Sequence, residues 1–156
     1  MTPLLRAAAI GLAALLLVAA SGCGGDTKAA NDYVDAVNKA QTDFQSNVQK
    51  MGSASNTGSD PAAAAKKTFG DLSAAILKVI NDLKAVDPPG DVENLHNELI
   101  GELEDFGHQV DKAGASLSSG DPTAILKAQS TFATEASKLG TKISQTIADI
   151  NTKLHD

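Results

Sequence analysis

From Asp60 to Leu83 the chain reads DPAAAAKKTFGDLSAAILKVINDL. Its apolar residues Ala62, Ala65, Phe69, Leu72, Ile76, Val79 and Leu83 alternate spacings of three and four without a slip. An α-helix turns once every 3.6 residues, so this rhythm returns each of them to one face, and a seam that regular needs a partner helix to cover it. Asp60 offers an oxygen to an unpaired amide of the first turn, and Pro61 lacks the amide that would have no partner there. The stretch predicts one amphipathic helix with a defined start and a defined buried face.

Reading outward, Val86-Asp87-Pro88-Pro89-Gly90 cannot continue that helix, because proline has no donor and disfavours helical geometry in the residue before it. Beyond it, Val92, Leu95, Leu99, Leu103, Phe106, Val110, Ala113 and Leu117 repeat the seam and predict a helix from about Asp91 to Leu117. Ser118-Ser119-Gly120 breaks this one, and Asp121-Pro122 restarts the chain with the same cap as Asp60-Pro61. The last helix is the longest, from Pro122 to about Leu154, with Phe132, Leu139, Ile143, Ile147 and Ile150 on its stripe. Upstream, Gly52 to Ser59 is a Gly/Ser-rich break, and Tyr33, Val37, Ala40, Phe44, Val48 and Met51 predict a first helix from about Asn31 to Gly52. Short turns make successive helices antiparallel neighbours. The expected fold class is all-α: an up-down-up-down antiparallel four-helix bundle over residues 31–156. Phe44, Phe69, Phe106 and Phe132 all fall in the half nearest the Gly/Ser loops and should meet as one aromatic layer.

The N-terminal segment follows a different rule. Arg6 precedes an apolar run from Ala7 to Val18 and then small residues from Ala19 to Gly22, the three-part pattern of a secretory signal. Ala20-Ser21-Gly22-Cys23 resembles the lipobox of bacterial lipoproteins, with Ala20 where such motifs more often carry leucine. The resemblance implies a signal peptide over residues 1–22, a diacylglyceryl group on Cys23, and a lipidated cysteine with a flexible tether over residues 23–30. It also implies a location on the extracytoplasmic side of the cell membrane, held there by lipid. A cleaved secretory signal in which Cys23 is incidental is the plainer alternative. A permanent span fits less well, because the last third of the uncharged stretch is small residues and glycine.

Charge narrows the partners. Without Arg6 the chain from Cys23 on carries twelve lysines against nineteen acids, a formal charge of −7. Such a surface repels nucleic acid and anionic headgroups alike, which excludes a nucleic-acid partner and leaves membrane attachment to the lipid on Cys23. Cys23 is the one cysteine in the sequence, so no disulfide can form within the domain and packing must stabilise it.

Catalytic chemistry finds little to work with. There is no Gly-rich phosphate loop, no Gly-x-Ser-x-Gly elbow and no cysteine nucleophile beyond the one reserved for lipid, so the expectation is a protein that is not an enzyme and takes no cofactor. Glu93-Asn94-Leu95-His96 has the Glu-x-x-His spacing of di-iron bundles, and Asp105 with His108 partly repeats it on the same helix. At about 100° per residue, Glu93 points away from the Leu95/Leu99/Phe106 face, His108 is almost opposite it, and His96 stands at its flank. No metal centre is expected from these residues; a weak surface cation site through Glu104 and His108, four residues apart, is the one candidate. Glu98, Glu102, Glu104 and Asp105 read as the solvated side of the third helix. Leu77, Ile100 and Leu126 lie off their helices' stripes and are read as closing the grooves between neighbouring helices, with an association patch as the alternative.

The later pattern, a Pro-Pro turn, a His-bearing helix and then Gly-Asp-Pro into a long Ala/Lys/Thr-rich helix, looks like small helical lipoproteins of high-GC Gram-positive bacteria, and that resemblance implies no activity. The expected function is a non-catalytic envelope module that binds a protein or serves a structural role, with the distal Gly/Ser loops as the surface for a protein partner. A small-ligand or metal-ion carrier is the alternative. A filled seam favours the first and a continuous cavity of at least roughly 300 Å³ the second.

Overall fold

A computed structural model describes residues 27–54, 61–117 and 122–155. Four α-helices make up nearly all of it: α1 (Thr27–Ala54), α2 (Pro61–Lys84), α3 (Glu93–Ser116) and α4 (Pro122–His155), with a single 3₁₀ turn at Gly90–Val92 before α3. There is no strand among the described residues. Cys23, the signal segment, Asp60, Asp121 and most of the two Gly/Ser breaks lie outside the described residues.

Each boundary has a local cause. α2 stops at Lys84, where the chain tightens so that Val86 N–H donates to Leu83 C=O at 2.9 Å before Pro88 and Pro89 forbid another turn. Val92 N–H donates back to Pro89 C=O at 3.0 Å, which turns the chain into α3 and sets the Val92 side chain fully inside. α1 begins at Thr27, earlier than the Asn31 that its apolar rhythm suggests, so the last four residues of the expected tether are helical. Ala29 and Ala30 are strong helix formers, and Lys28 pairs with Asp32 one turn on.

Buried residues of all four helices form one core, including Tyr33, Val37 and Phe44 of α1, Leu72, Ile76 and Leu83 of α2, Leu99, Leu103 and Val110 of α3, and Phe132, Ile143 and Ile150 of α4. Contacts between α2 and α3 run in opposite senses along the two helices: Leu83 meets His96, Ile76 lies 3.5 Å from where a Cβ on Gly107 would stand, and Phe69 packs on Gly114. At Gly114 the approach is tight, since a Cβ there would sit 3.2 Å from Phe69 Cβ and Phe69 would have to give by a few tenths of an ångström. α3 also packs along α4, through Phe106 with Phe132 and Glu102 with Thr146, whereas α1 packs chiefly on α2.

Being flanked by two helices changes which residues of α3 are inside. Taking about 100° per residue, its buried positions spread over roughly 160°, from Glu102 on the α4 side to Ile100 on the other. The single stripe read from the sequence is narrower. It leaves Glu102 on the wet side and His96 at the margin, yet both are buried, and Ile100, read as closing a groove between helices, is buried as well. Leu77 and Leu126 close no groove: they are 56% and 67% exposed. The aromatic layer forms with three members. Phe132 meets Phe69 edge to face at 5.5 Å and stacks on Phe106 at 6.2 Å. Phe44 is buried but belongs to no ring pair among the described residues. Its neighbour Asp43 is level with Lys78 of α2, nine residues and about 13 Å along the helix from Phe69.

Candidate functional site

α3 carries two buried polar side chains within six residues, and they are satisfied very differently. His96 lies where the start of α1, the end of α2 and the start of α3 converge. The carbonyl of Leu83 can only accept, so His96 Nε2 carries the proton and donates to it at 3.2 Å. Nδ1 is then the acceptor for the Tyr33 hydroxyl, also at 3.2 Å, and the two rings meet edge to face with centroids 5.5 Å apart. Burial disfavours the charged imidazolium and holds the His96 pKa below its ordinary value, against a smaller opposing pull from the Leu83 carbonyl. Burial likewise pushes the Tyr33 phenol up to about 12. Both groups are therefore neutral at pH 7, and both ring nitrogens are engaged within the protein. The arrangement suits a bond between helices; no lone pair faces outward for a metal.

Glu102 is the opposite case. It is only 4% exposed, and one oxygen accepts a hydrogen bond from the Thr146 hydroxyl of α4 at 3.2 Å. Lys142, itself two-thirds exposed, approaches the same oxygen at 3.6 Å, beyond a good hydrogen bond. The other oxygen, Oε2, is buried with no hydrogen-bond partner. Desolvation raises the carboxyl's pKa; the Thr146 bond and Lys142 act against that, and Glu98 one turn earlier adds to it.

Of the surface pair singled out from the sequence, Glu104 forms an ion pair with Lys84 at 2.6 Å, and His108 stands exposed. Glu93, Glu98 and Asp105 are also exposed. No group of three or more His, Cys, Asp or Glu side chains among the described residues could hold a metal ion. Cys23 lies outside those residues. No described helix is long and apolar enough to cross a membrane.

Sequence reasoning missed both buried sites. A signal for the first existed in Tyr33: a tyrosine on an apolar stripe brings a hydroxyl that needs a partner when buried. That partner is 63 residues away and on another helix, so only the folded chain identifies it. No protein-family model, no curated protein and no solved structure matches this chain.

Proposed function

We propose that the protein is a lipoprotein of the cell envelope, held on the extracytoplasmic face of the membrane by lipid on Cys23, whose helices form a non-catalytic up-down-up-down bundle serving as an interaction or structural module. The observation that carries this reading is how the buried polar groups are spent. His96, with Tyr33 and Leu83, ties three helices together, and Glu102 bonds to α4, so the chain's least common buried side chains act as fasteners. The opposed order of contacts along α2 and α3, and the meeting of α1, α2 and α3 at His96, support the up-down layout. In that layout the tether and the Pro88-Pro89 turn share the membrane-proximal pole, and the two Gly/Ser loops face away, open to a protein partner.

Cys23→Ser tests the anchor. The variant is expected in the soluble fraction or as an uncleaved precursor; a processed, membrane-bound variant identical to the parent would refute the lipoprotein reading. Co-purification of the parent from its native membrane, with and without deletion of Ser53 to Thr57, tests the partner surface. A bound protein lost on deletion supports it, and an unchanged set of bound proteins counts against it.

A further inference from the structure

Toward the loop that joins α3 to α4, the two helices leave a groove of about 390 Å³ between them. Ala113 and Phe132 form its apolar floor and are nearly fully buried, while Lys112 and Lys127 stand exposed at its sides with the Thr131 hydroxyl between. The space exists because α3 is built here from small residues, Ala113-Gly114-Ala115-Ser116, where its earlier turns carry leucine. Gly114 lets α3 approach Phe69 of α2.

Two lysines without a carboxylate among the described residues share this groove. Lys28, Lys39, Lys67, Lys78, Lys84, Lys138 and Lys142 each reach a carboxylate, as expected in so acidic a chain. Lys50, Lys66, Lys112, Lys127 and Lys153 reach none among the described residues, and of these Lys112 and Lys127 line the same groove. Each ammonium offers three donors and no acceptor, and the Gln109 amide and Thr131 hydroxyl add donors beside them. An anion is what such a set lacks.

We propose that this groove binds a single-chain amphiphilic anion, its carboxylate or phosphate head between Lys112 and Lys127 and its chain over Ala113 and Phe132. The size agrees. At roughly 30 Å³ for a water-sized group, the groove takes about a dozen methylenes, at the small end of ordinary ligand sites and too little for a peptide helix. In the layout proposed above this end of the bundle faces away from the membrane, so the occupant is a free fatty-acid-type molecule and not a lipid of the bilayer.

The test uses purified protein carrying Cys23→Ser, so that no acyl chain of its own competes. Titration calorimetry with dodecanoate and dodecyl phosphate below their micelle concentrations is expected to show saturable binding at one equivalent. Dodecyltrimethylammonium, with the same chain and the opposite head, should bind at least about tenfold more weakly. Lys112→Glu with Lys127→Glu should reduce dodecanoate affinity by a similar factor, and Thr131→Trp, which fills the hollow from an exposed position, should abolish binding while circular dichroism stays unchanged. Equal affinity for the two head types, no saturable binding, or indifference to both sets of variants would overturn the proposal. Vesicles of phosphatidylglycerol test the source: retention of bound dodecanoate in their presence supports a free amphiphile, and its displacement would overturn that assignment in favour of a bilayer lipid.

Discussion

The two halves of α3 hold their neighbours by different chemistry. From Val92 to Glu102, hydrogen bonds set in apolar surroundings reach α1, α2 and α4; from Phe106 to Gly114, rings and close backbone packing do the work. Polar bonds of this kind contribute little net energy each, about 0.5 to 1.5 kcal/mol, but leaving one partner buried and unmatched costs more than the bond contributes. Rings stabilise through the area they remove from water and respond neither to pH nor to a missing donor. The first half thus combines directional bonds with the burial of Val92, Leu99 and Ile100, whereas the second holds through packing of Phe106, Val110 and Ala113.

The largest test of that contrast lies at Phe132, the ring that both Phe69 and Phe106 touch. Phe132→Ala should lower stability by about 3 to 5 kcal/mol in chemical denaturation, because neighbouring small residues cannot collapse into the space. The loss should be the same at pH 5 and pH 8. A loss that varied with pH, or one under about 1 kcal/mol, would mean that the aromatic half does not carry the load assigned to it.

At the polar end, His96→Ala removes a ring and leaves the Tyr33 hydroxyl unmatched, while the Leu83 carbonyl keeps the Val86 N–H; the loss should be about 2 to 4 kcal/mol at pH 7.5. Tyr33→Phe leaves only Nδ1 without its donor and should cost less, about 1 to 2 kcal/mol. The pH dependence has a definite sign. His96 has its pKa lowered in the folded state, so as pH falls through the ordinary value of 6.5 the unfolded chain takes up the proton first. The contribution of His96 is fully present above 6.5 and is lost as pH falls toward the lower folded value. The penalty of His96→Ala should therefore shrink between pH 7.5 and pH 5, whereas a penalty that grew on acidification would mean that the buried ring is charged.

How far these features can be read from the chain follows from their range. Helix number and the breaks at Pro61, Pro88-Pro89 and Pro122 are local, set by proline and by a rhythm visible within one turn, and they are legible. So is the central stripe: Leu99, Leu103, Phe106 and Val110 are all inside. The rest depends on how many neighbours a helix has. A stripe presumes one partner, and α3 has two, so His96 and Glu102 become buried without any change in the local pattern. Phe44 shows the same limit from the other side, since its place on the stripe is right and its distance from the other rings is set by the register of α1 on α2. The groove between Lys112 and Lys127 left only a faint trace, the run of small residues at the end of α3.

The smallest effect is the most discriminating, because it has the opposite sign from that at His96. Glu102 keeps one oxygen matched by Thr146 and one oxygen without a partner, and its pKa is raised by desolvation above the ordinary 4.5. A carboxyl whose pKa is raised on folding contributes fully below 4.5, where folded and unfolded chains both hold the proton, and that contribution is lost as pH rises through the folded value. At pH 7 the buried charge is offset only by Thr146 and by Lys142, whose exposure leaves the attraction screened by solvent. Glu102→Gln keeps an acceptor for Thr146 and removes the charge, so it should match the parent at pH 4 and exceed it by up to about 1 kcal/mol at pH 7. Between pH 4.5 and 6.5 the two buried groups of α3 then pull in opposite directions: acidification withdraws support at His96 and restores it at Glu102. Denaturant midpoints of the parent, His96→Ala and Glu102→Gln across that window separate the two contributions. A Glu102→Gln variant less stable than the parent at pH 7 would mean that the carboxylate is held by partners stronger than one hydroxyl and a screened lysine.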